Sequence, residues 1–197
     1  MQRRRLRLTQ FLTLALVALA VVSEHSFSEG SFLDPLYETL GYVLLLVAAM
    51  GRVWCSAFIA GKKSRELVRV GPYSIVRNPL YFFTFLGLVG AGLAFESMTL
   101  AVGFGAVFFL THWSTILGEE RKLAGIFGAE FETYVSEVPR FVPHPWKLTQ
   151  PETATFSPRV FTRAVLECSL VPCVWLIAHA IEWAHEHGVI PVLVRLP

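Results

Sequence analysis

Three short stretches of this 197-residue chain carry side chains able to do chemistry. The first is VGPYSIVRNPLYFF, residues 70–83. Pro72 and Pro79 lack an N–H and bias the residues before them away from helix. Gly71 and Asn78 are therefore expected in turn or extended conformations, with a short helical turn over Tyr73–Arg77 between them. Pro79 suits the first turn of a new helix, and Asn78 suits its N-cap. The free N–H groups and positive dipole end of such a terminus fit a carboxylate or phosphate. Arg77 adds a bidentate donor fork, and Tyr73 and Tyr81 add aromatic faces. A plain helix start with an interfacial Arg and Tyr belt would read the same way.

The second stretch is HWSTILGEERKL, residues 112–123. His112, Thr115 and Glu119 share a helical face at spacings of three and four. Glu119 and Glu120 directly follow an apolar run, and acids at the mouth of a span are costly enough to suggest a site. They could hold ribose hydroxyls or attract a cation such as a sulfonium. The bland alternative is an interfacial acid pair offset by Arg121 and Lys122. The third stretch, VPRFVPHP, sets Arg140 between prolines beside Phe141, as a fixed donor at a lid or as a headgroup contact. Arg52 lies deep in an apolar run and either snorkels or pairs with Glu119 or Glu120. Near the C-terminal end, His179, Glu182 and His185 or Glu186 share a face. That spacing is open to metal but more in keeping with a solvated polar end.

The elements that must position these residues are apolar. Hydrophobic residues make up 54% of the chain and charged residues 16%, against about 25% charged in an average soluble domain. Mean hydropathy is +0.53. Five apolar segments suggest membrane spans, at about residues 8–23, 39–60, 80–95, 98–117 and 160–184. The first resembles a signal peptide without a convincing cleavage site and is taken as an uncleaved helix. Between the fourth and fifth spans, Leu123, Ile126, Phe127, Phe131, Tyr134 and Val138 fall near one face, the pattern of an amphipathic helix on the membrane surface.

Charge sets an orientation. With RRRLR in the cytoplasm, the acidic connector holding Glu24, Glu29, Asp34 and Glu38 falls outside. The loop with Lys62, Lys63, Arg65, Arg69 and Arg77 falls inside, as does the 118–158 segment, in line with the positive-inside rule. Cys55, Cys168 and Cys173 lie in apolar runs and read as small buried residues, not as a disulfide or zinc framework. The chain has no P-loop, nucleophile elbow, dinucleotide fingerprint or internal repeat. Gly103 and Gly105 read as sites of close helix packing.

The order of motifs is informative. GPYSIVRNPLY, then a helical hairpin, then EERKLAGIFGAEFETYVSEVPRFVP resembles the isoprenylcysteine carboxyl methyltransferase and phospholipid methyltransferase superfamily over about residues 62–146. Asn78 stands where many members have His. Phe83 stands where a Gly often follows, and Phe131 replaces the first Tyr of the Phe-Gly helix. The resemblance implies S-adenosylmethionine bound from the cytosol and a lipid or lipophilic acceptor reached from the bilayer. It implies a donor pocket of Tyr73, Arg77, Asn78, Pro79, Tyr81, Glu119 and Glu120, with His112 beside it, closed by Arg140, Phe141 and Pro143. Arg77, Glu120 and Arg140 are the expected catalytic set, with no metal.

The expectation is thus an all-α polytopic transmembrane helical bundle, a single domain of about five spans with a cytoplasmic cofactor pocket. It would sit in a bacterial inner membrane, with no nucleic-acid partner. The activity expected is in-line methyl transfer to a carboxylate, amine or thiol. An NADPH-dependent reductase related to sterol reductases, or a non-catalytic membrane scaffold, would share much of this pattern.

Overall fold

The computed structural model describes residues 2–25, 32–62 and 65–196. Part of the acidic connector, including Glu29, lies outside the described residues, and so does Lys63. Helix α1 spans Gln2–Val22 and leads into a short strand, β1 (Ser23–His25). Helix α2 (Leu33–Ile59) is followed by a one-turn helix, α3 (Pro72–Ile75). Then come α4 (Pro79–Ala94), α5 (Met98–Phe127) and α6 (Ala129–Glu137). A 3-10 turn at Pro145–Lys147 precedes α7 (Pro158–Ser169), α8 (Cys173–Glu186) and β2 (Val194–Leu196).

Among the described residues, three stretches are long and apolar enough to cross a membrane: Pro35–Ile59, Met98–Phe127 and Pro158–Glu186. Gln10–Val22 and Pro79–Ala94 are shorter apolar helices. The last stretch is not one continuous helix. A turn at residues 170–172 separates α7 from α8, because Pro172 cannot continue the hydrogen-bond ladder. The amphipathic segment also differs from expectation. It continues α5 without a break to Phe127, and only Gly128, at φ 53°, ends the helix and starts α6. Phe131, Tyr134 and Val138 then bury against Leu67, Leu123 and Phe127, while Ile126 is exposed.

The chain forms two compact units, and α2, α4 and α5 each supply residues to both. In the first unit, Ala20, Leu100 and Phe104 form one core and Leu45, Ala94 and Ala178 another. A Cβ on Gly92 would lie 2.2 Å from the Ala101 nitrogen, and one on Gly41 2.5 Å from the Ala94 nitrogen. The helices approach to backbone contact there, the way small residues let membrane helices pack. β1 and β2 pair in parallel in this unit, and His185 Nε2 lies 2.9 Å from the Val21 carbonyl oxygen. In the second unit, Cys55, Val68 and Tyr73 form a core with Phe58, Ile59, Leu80 and Phe83 packed on it. That unit holds the side chains singled out in the sequence at 73–81, 119–120 and 140–143.

Candidate functional site

The Gly-Pro turn folds by local constraint. Gly71 sits at φ 61°, ψ −135°, a conformation nearly restricted to glycine. A Cβ there would also lie 2.6 Å from the Phe58 ring. The Gly71 carbonyl accepts bonds from the Ser74 amide at 3.0 Å and the Ser74 hydroxyl at 2.7 Å, which closes α3 as one turn. A strap of residues 139–149 then ties the turn down. The Arg77 amide donates to Pro139 O at 2.8 Å, His144 N to Ile75 O at 2.9 Å, and Gly71 N to Thr149 O at 2.7 Å. Thr149 N donates to the Ser74 hydroxyl at 2.9 Å. From α6, the buried Tyr134 hydroxyl donates to Tyr73 O at 2.7 Å. Asn78 opens α4 by accepting from Phe82 N at 3.1 Å.

Glu120 is the hub of a buried ionic group. Asn78 Nδ2 donates to Glu120 Oε1 at 2.8 Å and also to the Arg140 carbonyl at 3.1 Å. Arg77 Nε lies 3.3 Å from the same Oε1, with both side chains about nine-tenths buried. Arg140 Nε donates to Oε2 at 2.9 Å. The Arg140 guanidinium lies 5.8 Å from the Trp113 ring centroid, within cation–π range. Phe141 meets the Trp113 and Phe82 rings edge-on.

Beside this group, within the same unit, is a cleft with a cavity volume of about 270 Å³, close to the lower bound of about 300 Å³ for ligand pockets. Tyr73, Arg77, Asn78, Pro79, Tyr81 and Glu119 form its polar side. Leu67, Val68 and Leu123 form an apolar wall, and exposed Lys122 stands on the rim. Tyr81 hydrogen-bonds Glu119 and meets His112 edge-on with centroids 6.0 Å apart. The Tyr73 hydroxyl is buried and has no hydrogen-bond partner among the described residues. Burial pushes its phenol well above the usual range, with the nearby Cys55, Tyr134 and Glu119 adding to the effect, so it stays neutral and protonated. Burial lowers Arg77, and Glu120 pulls it back up.

A family model described as phospholipid methyltransferase matches residues 42–130. The chain belongs to the superfamily of phospholipid and isoprenylcysteine carboxyl methyltransferases. The nickel-cobalt-cadmium resistance protein NccN of Alcaligenes xylosoxydans xylosoxydans is 32% identical over 183 residues, covering 93% of this chain and 85% of that protein. The cobalt-zinc-cadmium resistance protein CzcN of Cupriavidus metallidurans is 32% identical over 172 residues, covering 87% and 79%. No solved structure matches. Membership and the long apolar helices together make the chain a membrane methyltransferase of the S-adenosylmethionine-dependent class.

The family match contains both the Gly-Pro turn and the Glu-Glu pair and ends before Arg140, Phe141 and Pro143. Of the expected pocket residues, Tyr73, Arg77, Asn78, Pro79, Tyr81 and Glu119 line the cleft. His112 packs against Tyr81 from behind, and Glu120, Arg140 and Phe141 sit in the ionic and aromatic group. Pro143 belongs to the strap and does not line the cleft. Arg52, expected to snorkel or to meet the Glu-Glu pair, donates to the Thr84 hydroxyl, which itself donates to Leu80 O at 2.8 Å. Lys122 and Leu123 had a readable signal, since they follow Glu119 by three and four residues on one helix. Leu67 and Val68 had none, because they lie in irregular chain.

At the other polar end, His179 Nε2 is 3.3 Å from Glu38 and its ring packs on Trp175. Among the described residues no group of three or more His, Cys, Asp or Glu is arranged to hold a metal ion.

Proposed function

We propose that this membrane methyltransferase binds S-adenosylmethionine in the cleft bordered by Tyr73, Arg77, Tyr81 and Glu119, from the cytoplasmic side, and methylates a lipophilic or small acceptor. The observation that carries this reading is the meeting of the 73–81 segment with Glu119 across one cleft. The residues fit the donor's mixed chemistry. Arg77 and the first turn of α4 suit its carboxylate. Glu119 suits ribose hydroxyls or a cation, and the faces of Tyr73 and Tyr81 suit a sulfonium. Leu67, Val68 and Leu123 suit the adenine ring.

When bound, S-adenosylmethionine supplies a methyl group activated by a positively charged sulfur. The protein's part is to align the acceptor with that methyl and to keep water out. An ionised carboxylate or thiolate acceptor needs no base, and Arg77 or Arg140 would orient it. An amine acceptor needs a carboxylate of the Glu-Glu pair to take its proton.

The resistance phenotype named for both relatives we extend to this chain: methyl transfer to a membrane component would act in cells challenged with divalent metals. Two measurements test the reading. Purified protein given isotopically labelled donor and fractionated membrane lipids should move label into one acceptor fraction. In a deletion strain the wild-type gene should restore growth on cadmium or cobalt and an Arg77→Ala gene should not. No transfer to any lipid or small-molecule fraction, together with full rescue by Arg77→Ala, would contradict it.

A further inference from the structure

We infer that the adjacent acids divide their work: Glu119, together with the Tyr73 hydroxyl, contacts the bound donor, whereas Glu120 is a positioning residue that never touches it. The inference rests on the donor reading above and assigns roles that the Glu-Glu motif leaves undivided.

Both oxygens of Glu120 are used within the protein. Oε1 takes Asn78 Nδ2 and faces Arg77 Nε, and Oε2 takes Arg140 Nε. Its side chain is about nine-tenths buried, and it does not line the cleft. A carboxylate with two cations and an amide on it gains little from a ligand. What it does is join three pieces of chain: the Arg77–Asn78 segment, α5, and the strap at Arg140. Asn78 strengthens the join by donating to Arg140 O as well. As a neutral amide it makes both bonds at any pH, which accounts for Asn at a position where an ionisable ring would titrate.

Glu119 differs in its place: it borders the cleft that Glu120 does not reach. It lines the cleft, and Tyr81, its hydrogen-bond partner, lines the cleft as well. Tyr73 lines the same cleft, and its hydroxyl is buried without a hydrogen-bond partner among the described residues. A buried polar group left unsatisfied costs stability, and a ligand that satisfies it recovers that cost on binding. Removing the hydroxyl therefore has opposite signs for the free protein and for the complex.

The test uses the full-length protein in detergent, with S-adenosylmethionine and S-adenosylhomocysteine as probes. Affinity is read by calorimetry and stability by thermal unfolding. Tyr73→Phe should lower affinity by roughly tenfold, the worth of one hydrogen bond to a polar ligand, and leave the ligand-free unfolding temperature unchanged or raised. Glu119→Gln should lower affinity at least as much, with the unfolding temperature unchanged. Glu120→Gln and Arg140→Gln should each lower the unfolding temperature. Their effects on affinity should be non-additive in the double variant, as for members of one network. Glu119→Gln and Glu120→Gln should combine additively.

Full affinity in Tyr73→Phe and Glu119→Gln, with wild type binding normally, overturns the inference and leaves the donor reading standing. So does an additive Glu120/Arg140 pair. Failure of the wild-type protein to bind either probe overturns the donor reading and the inference with it.

Discussion

Glu120 shows how much one side chain can hold. Two arginines and an asparagine converge on its carboxylate; deleting it strands the buried Arg77 charge and Asn78, while Arg140 keeps access to solvent. Glu120→Ala should therefore destabilise the protein by roughly 3–5 kcal/mol, read as a lower unfolding temperature in detergent.

Tyr73 and Tyr134 give a pH signature. Burial raises both phenols above the ordinary value of 10.0, and at Tyr134 the nearby Arg77 and Arg69 offset part of the rise. An acid whose pKa is raised by folding contributes stability that is whole below its unfolded pKa. That stability drains as pH climbs from about 10, while the unfolded chain ionises first. Unfolding temperature should be flat to about pH 9 and fall above pH 10. The fall should be shallower in Tyr73→Phe and Tyr134→Phe.

Part of this residue-level picture was legible in the sequence. Two prolines and a glycine predict the turn over 71–79, and the structure has it. The resemblance, not the spacing, brought Glu120 and Arg140 to the same site. The twenty residues between them cross the end of α5, the Gly128 turn and all of α6, so no single period relates them. Arg52, expected either to snorkel or to pair with Glu119 or Glu120, donates to Thr84. A lone arginine in a span announces that it needs an acceptor, but nothing in sequence says that the acceptor is Thr84.

At the scale of elements, helix length explains where the polar residues fall. α5 has 30 residues, about 45 Å at 1.5 Å per residue, against about 30 Å of hydrocarbon core. Roughly its last ten residues must leave the core on this arithmetic, and they carry Glu119, Glu120 and Lys122. α4 has 16 residues, about 24 Å, so its N-terminus is drawn toward headgroup depth. The strap is the other element that matters; VPRFVPHP reads as a lid or a headgroup contact, but nothing in it shows that it ties down the Gly-Pro turn. Its bonds are between backbone groups in two loops, which leave no hydrophobic period. Gly71→Ala should disrupt both the turn and the strap, because the new Cβ meets the Phe58 ring and the backbone conformation is strained. We expect faster proteolysis within residues 139–149 and weaker donor binding in this variant. A Gly71→Ala protein with wild-type protease resistance would argue that the strap holds without the turn. The break at Pro172 was legible in principle, since a proline stood in plain view inside the last apolar run.

At the scale of the molecule, the apolar composition pointed to membrane helices, and three spanning-length stretches agree. The proposed orientation places the N-terminus, the 60–79 loop and the 118–158 segment in the cytoplasm. Single cysteines introduced at exposed Glu130 and Trp146 should be shielded from a membrane-impermeant maleimide in intact cells and labelled after lysis. The reverse pattern would invert the topology. The chain was identified as a methyltransferase from motifs that are each weak. What joins them is that residues forty positions apart face one cleft, a fact of packing that the sequence hides.

Direct binding of S-adenosylmethionine to the purified protein tests the central claim most sharply. Wild type should bind one equivalent of the donor and of its demethylated product in calorimetry. Arg77→Ala should lose at least tenfold in affinity for both, the range expected for a charge-assisted hydrogen bond to the ligand. Undiminished affinity in Arg77→Ala, or no binding by wild type, would contradict the account.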